Sequence, residues 1–225
     1  MKIGKFILLL GAIFIAISLF GCKPECDLSG NVSRLRKDAF YGESESYRVD
    51  FYPELCESPM IADGKICDAK KIVVIKLRVK NGETGKFKVT FTTDKEYSDE
   101  FTFSAVNDCF VSSIEVNKLP DKPFIATITH DDEGENVNVE SSVKKSTVSY
   151  ETALTNAYLH KKEYVDNLSV NGVFNGEIYV RLITEGDSNF WYVGFITSRQ
   201  TVCVLLSSDG KVLEEKTVNN PSFNN

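Results

Sequence analysis

Alternation of apolar and polar residues constrains this chain most, because successive side chains on a strand point to opposite faces of a sheet. Val73, Ile75, Leu77 and Val79 alternate with Val74, Lys76, Arg78 and Lys80; Phe87, Val89 and Phe91 alternate with Lys86, Lys88 and Thr90. Asn81-Gly82 between them is a turn signal, so the two runs are expected to form a hairpin with one wet face. Tyr47, Val49 and Phe51 begin the pattern, and it continues through Phe101 and Phe103, Phe110 with Val111–Val116, Phe124, Ala126 and Ile128, then Val137 and Val139. Short strands spaced 8–12 residues apart are the pattern of an antiparallel β-sandwich. The tyrosine, tryptophan and cysteine marks of an immunoglobulin domain are absent, so the expectation is an Ig-like β-sandwich and no more.

At Val148 the period changes. Ser149 stands where an N-cap belongs, Val148 and Ala153 are spaced for a hydrophobic staple, and Ala153, Leu154, Ala157 and Tyr158 share one helical face to about Lys162. Strands are expected over Ile178–Thr184, Phe190–Thr197 and Thr201–Ser207, followed by a turn at Ser208-Asp209-Gly210-Lys211 and a short last strand. The fold class is therefore mainly β, α+β overall: a sandwich over 41–145, then a smaller helix-plus-antiparallel-sheet domain over 146–218, with the boundary inside Ser141–Thr147 and a frayed tail over 219–225.

Residues 1–21 have the layout of an export signal: Lys2 and Lys5, an apolar core from Phe6 to Phe20, then small Gly21 before Cys22. The core falls short of the roughly 20 apolar residues that a span needs. Leu19-Phe20-Gly21-Cys22 resembles the lipobox of bacterial lipoproteins. That resemblance implies removal of residues 1–21, lipidation of Cys22 and attachment to a membrane on its extracytoplasmic face, in the cell envelope. Two or three acyl chains make such anchoring stable. Residues 22–40 are polar without clear period and read as a tether.

The formal charge of −6 becomes −8 when Lys2 and Lys5 leave with the signal, which argues against a nucleic-acid partner and against anchoring by basic residues. Of six cysteines, Cys22 is assigned to lipid and five remain, an odd number that cannot all pair within one chain. Cys56 and Cys67 are the natural local pair in an oxidising compartment, a bridge that would contribute about 3 kcal/mol. Cys203 lies in an apolar strand, where a cysteine is usually a small buried hydrophobe. Cys26 belongs to the tether, and Cys109 is left open.

The second domain, 146–218, with Ser149-Tyr150-Glu151-Thr152-Ala153-Leu154 at the helix, Phe190-Trp191-Tyr192-Val193 and Ser208-Asp209-Gly210-Lys211-Val212-Leu213, resembles PepSY-type domains. The resemblance implies an extracytoplasmic binding or inhibitory module, and transfers no catalytic residue. The order of parts is similar to that of bacterial lipoproteins.

Catalysis by serine or cysteine needs a nucleophile, a base and a group that orients the base. The chain has two histidines. His130 is followed by Asp131, Asp132, Glu133 and Glu135, whose oxygens make a weak candidate for a divalent cation, although a solvated hairpin turn fits the spacing better. His160 sits at the polar end of the helix. No pair of cysteines has metal-ligand spacing, and no phosphate loop, HExxH or GxSxG occurs. No cofactor and no metal are expected. Phe190, Trp191 and Tyr192 form a candidate binding surface, with alternation placing Trp191, Val193 and Phe195 on one face and Phe190, Tyr192 and Ile196 on the other; the face away from the helix is the better choice. The function expected is a non-enzymatic, membrane-tethered module that binds or inhibits an envelope protein or peptide. The alternative is an enzyme using Cys109 or the His130–Glu135 loop.

Overall fold

Strand formation follows the alternation closely, and strand pairing does not. The computed structural model describes residues 28–58, 68–82, 84–186 and 188–220, and the statements below concern these. The first strands are β1 (Val32–Arg36), β2 (Phe40–Glu43), β3 (Tyr47–Glu57) and β4 (Ala69–Val79). They are followed by β5 (Phe87–Thr92), β6 (Glu96–Glu100), β7 (Thr102–Ser104), β8 (Cys109–Glu115), β9 (Phe124–His130) and β10 (Glu133–Ser141). Helices α1 (Tyr150–His160) and α2 (Lys162–Asn167) come next, then a two-stranded ribbon of β11 (Ser169–Val170) and β12 (Val173–Phe174). The chain ends on β13 (Glu177–Glu185), β14 (Ser188–Ile196), β15 (Gln200–Ser207) and β16 (Val212–Asn219). The protein is thus mainly β, a large mixed sheet with a small helical part.

The hairpin expected between Val73 and Phe91 does not form. β4 pairs with β3 and β8, whereas β5 pairs with β6 and β9. Asn81-Gly82 does turn the chain, with Gly82 at φ +74°, but the turn carries it from one wall of the core to the other. Phe51 and Phe91 meet there edge to face at 5.4 Å, and Phe51 and Phe124 at 5.0 Å.

The pairings also return on themselves. From β3 the ladder runs through β4 and β8 to β7, crosses Phe101 into β6, and continues through β5, β9, β10 and β2 back to β3. The sandwich of two sheets is expected; one curled sheet is observed, because residues 96–104 serve β5 with one end and β8 with the other. Its interior is a core of Tyr47, Val49, Phe51, Val73, Ile75, Leu77, Phe87, Val89, Ala126, Ile128, Val137 and others. Gly42 belongs to β2 because a Cβ there would meet Val137 Cγ1 at 2.7 Å and the Asn138 carbonyl at 2.8 Å.

A second core lies between α1 and one face of β13–β15, built from Ala153, Leu154, Ala157, Tyr158, Ile178, Val180, Leu182, Trp191, Val193, Phe195, Val202, Val204 and Leu206. Ser149 caps α1, its Oγ accepting from the Thr152 amide at 3.3 Å. The start of the helix is tied to the sheet twice, since the Val148 amide donates to the Ser208 carbonyl and the Val148 carbonyl accepts from Trp191 Nε1. After α1 the chain continues into α2, which the sequence pattern did not anticipate.

The two cores are linked through residues 32–36, inside the segment expected to be a tether. β1 lies parallel to β13 and antiparallel to the far end of β3. A bulge between Val32 and Arg34 lets both Val32 and Leu35 face the helix-side core while Arg34 and Arg36 face away. The bulge hides the alternation, which is why a strand here was not expected. Asn31 closes the junction, its buried Nδ2 donating to the Phe174 and Gly176 carbonyls at 2.9 Å each. Cys22, Cys26 and Cys67 lie outside the described residues, as do the signal 1–21 and the end of the tail. No helix among the described residues is long and apolar enough to cross a membrane.

Candidate functional site

One face of β13–β15 is closed by α1, and that decides between the two sets of aromatic residues. Trp191, Val193 and Phe195 are buried against the helix, Trp191 at 1% exposure. Trp191 is therefore core and leaves the candidate binding surface, while Phe190 and Tyr192 fall on the opposite face, half-buried. The correction is one of parity, since three consecutive strand residues cannot share a face.

The open face is ordered by register. Arg36 lies beside Arg181, Arg181 opposite Tyr192, and Tyr192 opposite Leu205. One step along, Arg34 lies beside Tyr179, Tyr179 opposite Gly194, and Gly194 opposite Cys203. The Tyr192 hydroxyl reaches Cys203 Sγ at 3.0 Å, passing over Gly194, where a Cβ would stand 3.1 Å from that hydroxyl. Burial and then the neighbouring Cys203 push the Tyr192 phenol above its usual range, so it stays neutral. Cys203 is accordingly half-buried on the open face, not the core residue expected from its strand.

Charge enters from β1 and β3. Glu54 is buried, and its Oε2 accepts from Arg34 Nε at 2.8 Å and Nη2 at 2.5 Å while its Oε1 accepts from Arg36 Nη1 at 3.3 Å. Arg36 also donates from Nε to the Leu182 carbonyl and lies 4.7 Å over the Tyr52 ring. Arg181 lies 4.9 Å over the Tyr179 ring. Burial pulls the guanidinium pKa of Arg36 and Arg181 down; repulsion from Arg181 adds to it at Arg36 and repulsion from Arg34 at Arg181, while Glu54 opposes the shift at both. None of these charges was singled out from sequence, because Glu54 is 20 positions from Arg34 and Arg181 is 145 positions from Arg36.

Cys56 stands opposite Arg34 on β3, with its Sγ 3.5 Å from the Glu57 carbonyl. Toward the other end of β3 a cleft of about 530 Å³ opens between the curled sheet and the β13–β14 turn, lined by Tyr41, Arg48, Asp50, Lys144 and Thr184 among others.

The acidic run is a hairpin turn. Glu133 pairs with His130, leaving Asp131 and Asp132 at the two corners with φ +47° and +68°, the signs of a type I′ turn. Glu135 is drawn away from the turn, its carboxyl held below the usual range by hydrogen bonds from Ser44 and then Ser46. Among the described residues no group of three His, Cys, Asp or Glu side chains is placed to hold a metal ion. His130 stacks on Phe87 at 4.5 Å, and His160 meets Glu215 at 2.7 Å on the surface. Cys109 is buried at the rim of the curled sheet, beside a cleft lined by Leu77, Arg78, Phe103 and Phe110. Its thiol is raised above the ordinary value by burial. A nucleophilic cysteine requires the opposite shift.

Comparison with models of protein families, with curated proteins and with solved structures finds no match to this chain.

Proposed function

We propose that the protein is an extracytoplasmic, membrane-tethered lipoprotein, anchored through Cys22, that binds or inhibits an envelope protein or peptide without catalysing a reaction. In this reading the chain is two units. The curled sheet, in the place of an Ig-like sandwich, spaces the second unit, and the second unit of 146–218, similar to PepSY-type modules, carries the binding face. The observation that supports it is the two-sidedness of β13–β15, with one face closed by α1 and the other left half-open and lined by Tyr179, Arg181, Phe190 and Tyr192. The raised thiol of Cys109 weighs against the cysteine-enzyme alternative.

Chemical cross-linking in intact cells, followed by purification and mass spectrometry, tests the reading. A discrete partner should be captured by the wild type, lost with Cys22→Ser and reduced with Tyr192→Ala. Capture of nothing by the wild type, or turnover of peptide or glycan by the purified protein that depends on Cys109, would refute it.

A further inference from the structure

Guanidinium groups crowd the border of the open face next to β1. Arg34, Arg36 and Arg181 are gathered on neighbouring strands, with Glu54 set among them and buried Glu177 on the same face of β13 beyond Tyr179. Both Glu54 oxygens are already engaged by Arg34 and Arg36. Arg181 has no ion pair among the described residues, and its Nε is buried without a hydrogen-bond acceptor there. A guanidinium is charged at any working pH and presents donors in a planar fork, so burying its donors without oxygen partners is costly. A carboxylate matches that fork with two parallel hydrogen bonds. Around it, Phe190 and Ile183 offer half-buried apolar surface and Tyr192 an aromatic one, the kind of surroundings that suit peptide side chains better than a bare ion.

We propose that Arg181, flanked by Arg36 and Tyr179, binds a side-chain or terminal carboxylate of an acidic peptide segment laid across the open face of β13 and β14. The inference rests on the binding reading above and names the chemistry of its ligand.

The test uses the full-length protein in detergent and a fluorescent hexaglutamate peptide, with hexaglutamine, inorganic phosphate and anionic phospholipid vesicles as competitors. Hexaglutamate should bind in a form that hexaglutamine does not displace, and Arg181→Gln should weaken it about tenfold or more, the value of a hydrogen-bonded charge. Lys122→Gln, the same charge change at an exposed site, should leave binding nearly unchanged. Arg181→Gln should melt at or above the wild-type temperature, because it removes an unsatisfied group from beside two other guanidiniums. Equal losses in Arg181→Gln and Lys122→Gln, or a lower melting temperature for Arg181→Gln, would overturn the proposal. So would phosphate or vesicles binding through Arg181 while the peptide does not. If hexaglutamate fails yet cells still yield a cross-linked partner, the binding role stands and this inference falls; if neither is seen, both fall.

Discussion

Trp191 shows how much one side chain can settle. Its ring fills the centre of the helix-side core, and its indole N–H is satisfied by the Val148 carbonyl at 3.2 Å. Trp191→Ala should cost about 3–5 kcal/mol, as deletion of a buried aromatic does. Trp191→Phe should lose less, and the part due to the missing donor should be near 1 kcal/mol in denaturant titrations. Asp94 offers a separate test in pH. Desolvation opposes its charge, but hydrogen bonds from Tyr97, Asn117 and Thr93 outweigh it and hold the carboxyl at about 2. A folded-state value below the ordinary 3.8 means that the unfolded chain takes up the proton first. The stabilisation is complete above pH about 4 and lost as pH falls through about 2. Asp94→Asn should melt below the wild type at neutral pH, and the difference should shrink as pH falls from about 4 and vanish below about 2, which flattens the acid limb of the variant's melting curve.

Among the elements, α1 is the one whose boundary was written locally. Ser149 was identifiable as its cap, and Ser149→Ala should cost about 1 kcal/mol, measurable as a lower denaturation midpoint. The strands around it were equally legible, since Ile178–Thr184, Phe190–Thr197 and Thr201–Ser207 all lie in or within one residue of β13, β14 and β15. Legibility ended where an element depends on distant partners. β4 and β5 carry correct alternation, yet their mates are chosen by closure of the curled sheet, which no window of 20 residues contains. β1 was missed because its bulge puts Val32 and Leu35 three apart on one face, and because the charges of Arg34 and Arg36 are answered by Glu54 on another strand. The candidate site divides the same way. Parity alone placed Phe190 and Tyr192 together and Trp191 apart, whereas the arginine cluster is a product of tertiary pairing.

For the whole molecule, the decisive feature is that two cores share one sheet through β1 and the far half of β3. Leu35 packs on the helix-side core, pairs with Leu55 of β3 and lies beside Val180 of β13. Leu35→Pro should therefore do more than lower stability, since it removes a ladder donor at the junction. Calorimetry of the wild type should show one cooperative transition, and the variant should show two, one for each core. A single transition at reduced temperature would mean that the cores are coupled by contacts other than β1. The placement of β1 has a mechanical side as well. A chain held by its N-terminus and loaded at the open face feels the pull along β1, lengthwise between two neighbours. Hydrogen bonds on both flanks then resist sliding together, where a strand at the border of a sheet would peel away one bond at a time.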